Sequence, residues 1–263
     1  METIAILSRT NLGLRPFEEA LSEAGVKYYL LSKSGFWAQP EVRSALAYLS
    51  CAVYPSNAAI LGAITAPFWP AKYLPKSKLR ARLKELGSKE VSYWTLLTKE
   101  PEQLVDQKNL ESLRNFVSFV HGLQRCVGYP DSIKRIFLEL KAWDYYAEDE
   151  SVDNSPVDNL NELVKIGEKR GKLKDFLDYA RKASAASKRK TGVALATCHA
   201  AKGMEFDHVY FSGCSEGVIP HIKSTDFDSE RNIFYVGCSR AAKKLTLTFS
   251  GNPSIFLHRS KTC

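Results

Sequence analysis

The sequence predicts an α/β protein in which one mostly parallel sheet, covered by helices on both faces, is interrupted by an almost wholly helical insertion. Three observations predict it. Residues 1–55 and 191–263 carry short apolar runs of β type, Thr3–Leu7, Lys27–Leu31, Val193–Thr197, His208–Ser212 and Leu245–Phe249, separated by helical stretches. Residues 56–190 instead space their apolar side chains as a helix does, as in Leu110, Leu113, Phe116, Val117 and Val120, and in Ile133, Ile136, Phe137 and Leu140. The period therefore changes from about 2 to about 3.6 near residue 56 and changes back near residue 190. Two domains are expected, a discontinuous sheet domain of residues 1–55 and 191–263 and a helical one of residues 56–190.

Taken in order, TIAILSRTN opens the chain with an apolar run that ends in Ser8, Arg9, Thr10 and Asn11, and a helical pattern follows from Leu12 to Ala24. Arg9 is thus expected at the carboxyl end of a strand. Within the insertion, EDESVDNSP at 148–156 reads as a loop between helices, and SAASKRKTG at 184–192 reads as the linker back to the sheet. The segment TCHAAKGMEF, Thr197 to Phe206, lies between two apolar runs as a polar turn. Gly203 lets the backbone approach a ligand or take a positive φ, Lys202 and His199 supply donors, and Glu205 supplies an acceptor. A solvated crossover turn uses the same residue types. From Glu230 to Leu247 the chain runs ERNIFYVGCSRAAKKLTL, a helical segment with Asp228 as its expected N-cap and Arg240 at its end, leading into a strand. Ligands of open α/β sheets bind beyond the carboxyl ends of the strands, so Arg9, the His199–Glu205 loop and Arg240 are expected on one rim. Two arginines there suit a phosphate.

Composition narrows the class. Hydrophobic residues make up 44% and charged residues 25%, an ordinary globular balance. No apolar run reaches the roughly 18 residues of a membrane span, and a signal-peptide pattern is lacking, so a cytoplasmic protein is expected. The six cysteines form no C-x-x-C pair and read as reduced thiols, with no metal site expected. A formal charge of +8 suggests an anionic partner. Its distribution is uneven, with seven basic residues and one acid from Lys72 to Lys89, and ten basic and three acidic from Val164 to Lys190. Such runs serve either as solvated helix faces or as a polyanion surface.

IAILSRTN, SGFWAQPEVRSALAYL, TCHAAKGMEFDHVYFSGCSEGVIPH and SERNIFYVGCSRAAKKL, in that order, resemble the C-terminal half of superfamily 1 DNA helicases of the UvrD/Rep/PcrA type. The resemblance spans nearly the whole chain and is strongest over residues 1–66 and 193–249. It implies a RecA-like, P-loop NTPase-type sheet domain with a helical insertion, taken from an ATP-dependent 3′–5′ DNA helicase. Under it, Arg9 and Arg240 match arginines that reach the γ-phosphate, Glu205 matches the acid that accepts from the ribose hydroxyl, and Gly203 allows close approach. Thr197 and His199, with Lys202 nearby, match positions that touch the single-stranded DNA backbone, and duplex DNA is a further expected partner.

The phosphate-binding G-x-x-x-x-G-K-[ST] loop and the magnesium carboxylates of such enzymes belong to a first RecA-like domain. GEKRGK, Gly167 to Lys172, has three residues between its glycines and no hydroxyl after the lysine, and reads as a solvated helix face. The chain begins at Met1 directly in its first strand, so a domain fragment or the product of a truncated gene is expected, holding half an ATPase site and inactive alone. ATP is the expected cofactor, with Mg2+ held by the missing first domain, itself a partner in cis or in trans. A non-catalytic DNA- or protein-binding module of helicase ancestry is the competing reading, and the helicase part of a RecB-like nuclease ranks after it. Two positions depart from the family pattern. Ser8 stands where an aromatic stacks on adenine, with Phe36 and Trp37 as candidate replacements, and Gly13 stands where a glutamine is usual.

Overall fold

The computed structural model describes residues 2–31, 36–87, 91–127, 131–149, 155–186 and 191–258. The chain opens with β1 (Ile4–Ser8), α1 (Arg15–Glu23) and β2 (Tyr28–Leu30). A run of helices follows: α2 (Pro40–Val53), α3 (Asn57–Thr65), α4 (Lys76–Leu86), α5 (Tyr93–Lys99), α6 (Gln107–Gln124), α7 (Ser132–Glu139), α8 (Ala142–Tyr145), α9 (Pro156–Arg170) and α10 (Leu173–Ala186). The chain then returns to β3 (Val193–Thr197), β4 (Phe206–Phe211), α11 (Phe227–Cys238), β5 (Ala241–Leu247) and α12 (Ile255–His258).

The five strands form one all-parallel sheet in the order β2-β3-β1-β4-β5. Alternation along β1 and β3 explains why helices cover both of its faces. Ala5, Leu7, Ala194 and Ala196 point into a core shared with Val209, Phe211, Ile233 of α11 and Phe256 of α12. Ile6 and Leu195, one residue out of phase, meet Leu14, Phe17 and Leu21 on the α1 side. A strand buried on both faces reads as a continuous apolar run, which is what TIAIL and VALAT are. β4 and β5 begin earlier than the apolar runs suggest, at Phe206 and Ala241, because pairing to β1 and β4 extends them through polar residues.

The chain divides into two compact units, one of Met1–Trp37, Glu150–Ser155 and Lys182–Cys263, the other of Ala38–Asp149 and Pro156–Arg181. The first division falls after Trp37, ahead of the change of period near residue 56. The reason lies in α2, which packs on α3, α6 and α9 rather than on the sheet. Its Tyr48 is fully buried against Phe116 and Phe119, with ring centroids 6.2 and 6.0 Å apart. Its Glu41 accepts a 2.6 Å hydrogen bond from the Asn159 side-chain amide of α9. In the described residues of this second unit every regular element is a helix. The basic run on α4 lies on a solvated face above buried Leu79 and Leu83, with Arg82 bonded to Glu85 at 2.8 Å. Gly167 of the GEKRGK string faces inward in α9, where an added Cβ would come within 2.0 Å of Ile133 Cδ1. It is a packing glycine of a helix. The expected loop at 148–156 and the expected linker at 184–192 fall in part on residues outside those described, and α10 extends through Ala186.

Candidate functional site

An all-parallel sheet has one edge where strands enter and one where they leave. β4 has six residues, so at about 3.3 Å per residue the two edges lie roughly 20 Å apart. Arg9 follows the last residue of β1, on the carboxyl edge, where Ser8 pairs with Thr197. Glu205 directly precedes β4, and Arg240 directly precedes β5, both on the amino edge. The expected single rim for Arg9, Glu205 and Arg240 is therefore corrected. The loop after β3 leaves at the carboxyl edge but must reach the amino edge to start a parallel β4, so its first and last residues cannot share a rim.

Arg9 is also not presented to solvent. It is 4% exposed and forms a fork with Glu230 of α11, which is 1% exposed. Arg9 Nη2 donates to Glu230 Oε1 at 2.6 Å, and Nε lies 3.1 and 3.0 Å from the two carboxylate oxygens. The His221 backbone N–H donates to Glu230 Oε2 at 2.9 Å. Burial pushes the Glu230 carboxyl up, but the Arg9 hydrogen bonds, the His221 N–H and the guanidinium charge outweigh it, so the group titrates below its ordinary value. The pair joins the end of β1 to the first turn of α11 and to the loop before it. That helix is capped by Asp226, whose Oδ1 accepts from Ser229 N–H at 2.9 Å; Asp228, the expected cap, sits in the first turn and pairs with Arg231 at 3.1 Å.

The loop from β3 to β4 folds as a compact turn. The Thr197 hydroxyl accepts from Ala200 N–H at 3.2 Å, the Thr197 carbonyl accepts from Ala201 N–H at 3.0 Å, and the Ala201 carbonyl accepts from Met204 N–H at 3.0 Å. Gly203 closes it at φ +83°, with nothing within 4 Å of where a Cβ would stand. The glycine meets the demand of a left-handed backbone, and the space beside it is open. Thr197 itself is 8% exposed, its hydroxyl turned into the loop. His199, Lys202 and Glu205 are exposed, and their side chains have no hydrogen-bond or ion-pair partner among the described residues.

Arg240 joins that loop to α11. Its Nε donates to the Val236 carbonyl at 3.0 Å, Nη2 to the Ser239 hydroxyl at 2.9 Å and Nη1 to the Met204 carbonyl at 2.8 Å. A cation over the last carbonyls of a helix complements its dipole. Three of the five guanidinium N–H groups are engaged, and the half-buried side chain leaves two that make no hydrogen bond among the described residues. Its neighbour in space is the residue next to Glu205. Arg240 and Glu205 thus offer a charged donor and a free carboxylate on one edge, the combination an anionic group next to a hydroxyl requires.

α11 lies close to the sheet because of Gly237. A Cβ there would stand 2.6 Å from Phe211 Cε1 and 3.0 Å from Cys198 Sγ. Gly237→Val should therefore cost about 1–3 kcal/mol by overpacking, and it should displace the end of α11 that carries Arg240; urea unfolding compared with the unsubstituted chain measures it. The neighbouring Cys198 and Cys214 thiols are pushed up to about 12 by burial, which makes both inert core groups. No group of three His, Cys, Asp or Glu side chains among the described residues is placed to hold a metal ion.

The two departures at Ser8 and Gly13 turn out to be one feature. Ser8 is 1% exposed, and a Cβ on Gly13 would fall 2.1 Å from its Oγ. A small residue at 8 and none at 13 fill one space. Phe36 and Trp37 are not free to stack on a base in its place. Both are buried, and the Arg15 guanidinium lies 4.1 Å from one ring centroid and 4.9 Å from the other. Glu230 and Arg15 are the residues that sequence reasoning passed over: a charge inside a helical pattern reads as solvent-facing, and nothing local marks it as buried.

With this geometry in place, the chain can be set beside known proteins. A model of the UvrD-like helicase C-terminal domain matches residues 1–252. The chain belongs to that family. It is 28% identical to the ATP-dependent DNA helicase srs2 of Schizosaccharomyces pombe over 93% of this chain and 31% of that protein. It is 26% identical to the ATP-dependent DNA helicase PcrA of Bacillus subtilis, over 97% and 38%, and 27% identical to Rep of Escherichia coli, over 93% and 39%. This UvrD-like domain thus spans between 31% and 39% of the length of these relatives. The five-strand parallel sheet is that of a RecA-like helicase domain. Among the described residues no helix is long and apolar enough to cross a membrane.

Proposed function

We propose that the chain is the second RecA-like domain, with its helical insertion, of an ATP-dependent 3′–5′ DNA helicase of the cytoplasm. It acts on ATP held by a first RecA-like domain, in cis or in trans, which also holds the Mg2+. The observation that carries this reading is the placement of Arg240 on the amino edge, bonded to the Met204 carbonyl beside the free carboxylate of Glu205. Arg240 has donors left for the γ-phosphate oxygens, where fixed positive charge stabilises the transferring group as charge develops. Glu205 accepts from a ribose hydroxyl. Gly203 holds the turn that aims it.

Thr197 and His199 open the same loop on the far edge of the sheet, with Lys202 nearby; exposed His199 and Lys202 meet the single-stranded backbone, and Thr197, its hydroxyl accepting from Ala200 N–H, sets the turn that presents them. One loop of nine residues, from Thr197 to Glu205, thereby serves both ligands. Engagement of phosphate by Arg240 pulls on the Met204 carbonyl and so on the turn that presents His199. Arg9 enters this reading differently from Arg240: its guanidinium is committed to Glu230, so it sets the position of α11 and, through that helix, of Arg240. It acts as a positioning residue. Contacts to duplex DNA belong to the same reading.

Half a cleft supplies few contacts. The isolated chain should bind ATP more weakly than micromolar, because Arg240 and Glu205 act without a phosphate cradle, a metal or an aromatic at Ser8. Titration calorimetry checks this, and micromolar or tighter binding would contradict the half-site reading. The decisive test supplies the first RecA-like domain of a relative or of the parent gene. DNA-stimulated ATP hydrolysis by the pair, and by neither part alone, supports the proposal; no stimulation in any arrangement favours a non-catalytic module.

A further inference from the structure

The helical unit carries an aromatic cavity flanked by exposed cations. α6 has a recess on each side. One, of about 600 Å3, is lined by Trp69, Phe119, Leu123, Arg125 and Arg135. The other, of about 360 Å3, is lined by Lys99, Arg114 and His121. Ser118 lines both, so the two recesses form one band across the helix.

Charge in this band is positive and largely uncompensated. Lys99, Arg114 and Arg125 are exposed, and none has an ion-pair partner among the described residues. Glu102 and Glu139 are the acids that line it, and Arg135 is held by Asp131 at 2.7 Å. Arg125 lies over the helix where Gly122 leaves room, its Nη2 only 3.6 Å from where a Cβ would stand. The aromatic part is rigid. Phe119 sits edge-on to Tyr48 at 6.0 Å and to Trp69 at 4.8 Å, so the Trp69 indole is braced from below while it lines the cavity.

We propose that this band is a single-stranded nucleic-acid track, with the Trp69 and Phe119 cavity receiving an unstacked base and Arg114, Arg125 and Lys99 meeting the backbone on either side. A duplex keeps its bases inside and would use only the cations; a cavity with an aromatic wall suits a strand whose bases are free. The inference rests on the DNA-handling reading above, but it concerns residues which that reading does not use.

The test is fluorescence anisotropy of the chain with a labelled dT oligomer of about 16 nucleotides, across a salt series. Arg114→Ala with Arg125→Ala should weaken binding about 10-fold, and should reduce the salt slope by about 1.4, the effect of two phosphate contacts on a single strand. Trp69→Ala should weaken it by about 10-fold with the slope unchanged, and Trp69→Tyr should retain most of the affinity. If Trp69→Ala disturbs the fold, as circular dichroism would report, ultraviolet cross-linking of the oligomer to the unsubstituted chain must map to Trp69 or Phe119. Unsubstituted chain that binds while the arginine and tryptophan variants bind equally well overturns this inference and leaves the loop of His199 as the contact. A blunt hairpin duplex that competes as well as the dT oligomer overturns the single-strand assignment. Absence of any binding by the unsubstituted chain overturns both readings.

Discussion

Arg240→Ala, made in an enzyme that contains both RecA-like domains, should lower the turnover of ATP by about three to five orders of magnitude, the range for an arginine supplied to a transferring phosphoryl group. Single-strand affinity should change little. The reasoning is differential: the charge is needed mainly where negative charge develops, so kcat falls while substrate binding is largely kept. Arg240 also bonds the Val236 and Met204 carbonyls, so part of any loss could come from a loosened helix end. Two such bonds are worth about 1–3 kcal/mol together, which a denaturation curve reads separately. Arg240→Lys divides the roles further, because a lysine keeps the charge but not the three-way fork. Steady-state kinetics decide it. Normal turnover in Arg240→Ala would remove this residue from the catalytic list.

Glu230→Ala should destabilise the sheet unit by about 3–5 kcal/mol, because it leaves the Arg9 guanidinium buried with its main carboxylate removed. The substituted chain should unfold at lower urea, and α11 should loosen at its first turn. Replacing both partners, Arg9→Met with Glu230→Leu, should recover most of the loss, since a buried pair exchanged for apolar groups is often neutral. Recovery of stability without recovery of ATPase activity in the two-domain enzyme would show that the pair sets the geometry of α11. The pH dependence follows from the depressed carboxyl of Glu230. Its contribution is present above the unfolded carboxyl value near 4.5 and is lost as pH falls through the lower folded value. The stability gap between the unsubstituted chain and Glu230→Gln should therefore be full at neutral pH and close on acidification below about pH 4. A gap that widened in acid would contradict the assigned direction.

The local pattern of residues was enough for much of this molecule. Alternation in TIAIL and VALAT reports strands buried on both faces, because side chains at successive positions must meet α1 on one side and α11 on the other. The spacing in α6 and α7 reports helices, since 3.6 residues per turn gathers Leu113, Phe116 and Val120 on one stripe. The turn at Gly203 was legible too, as a glycine among polar residues between two strands. Family membership was readable in four ordered motifs.

Tertiary contacts decided the rest. The edge on which Arg9 emerges and the edge from which Arg240 enters depend on which strands are parallel neighbours, and no local window contains that information. Arg9 meets Glu230 across 221 positions of sequence, so an arginine that reads as an open phosphate contact is an internal tie. α2 keeps the same helical pattern whether it covers a sheet or other helices; only its contacts with α3, α6 and α9 assign it to the helical unit. The band over α6 is likewise assembled from residues on separate helices, each unremarkable in its own stretch of chain. Periodicity records which face of an element is buried, and it is silent about what that face is buried against.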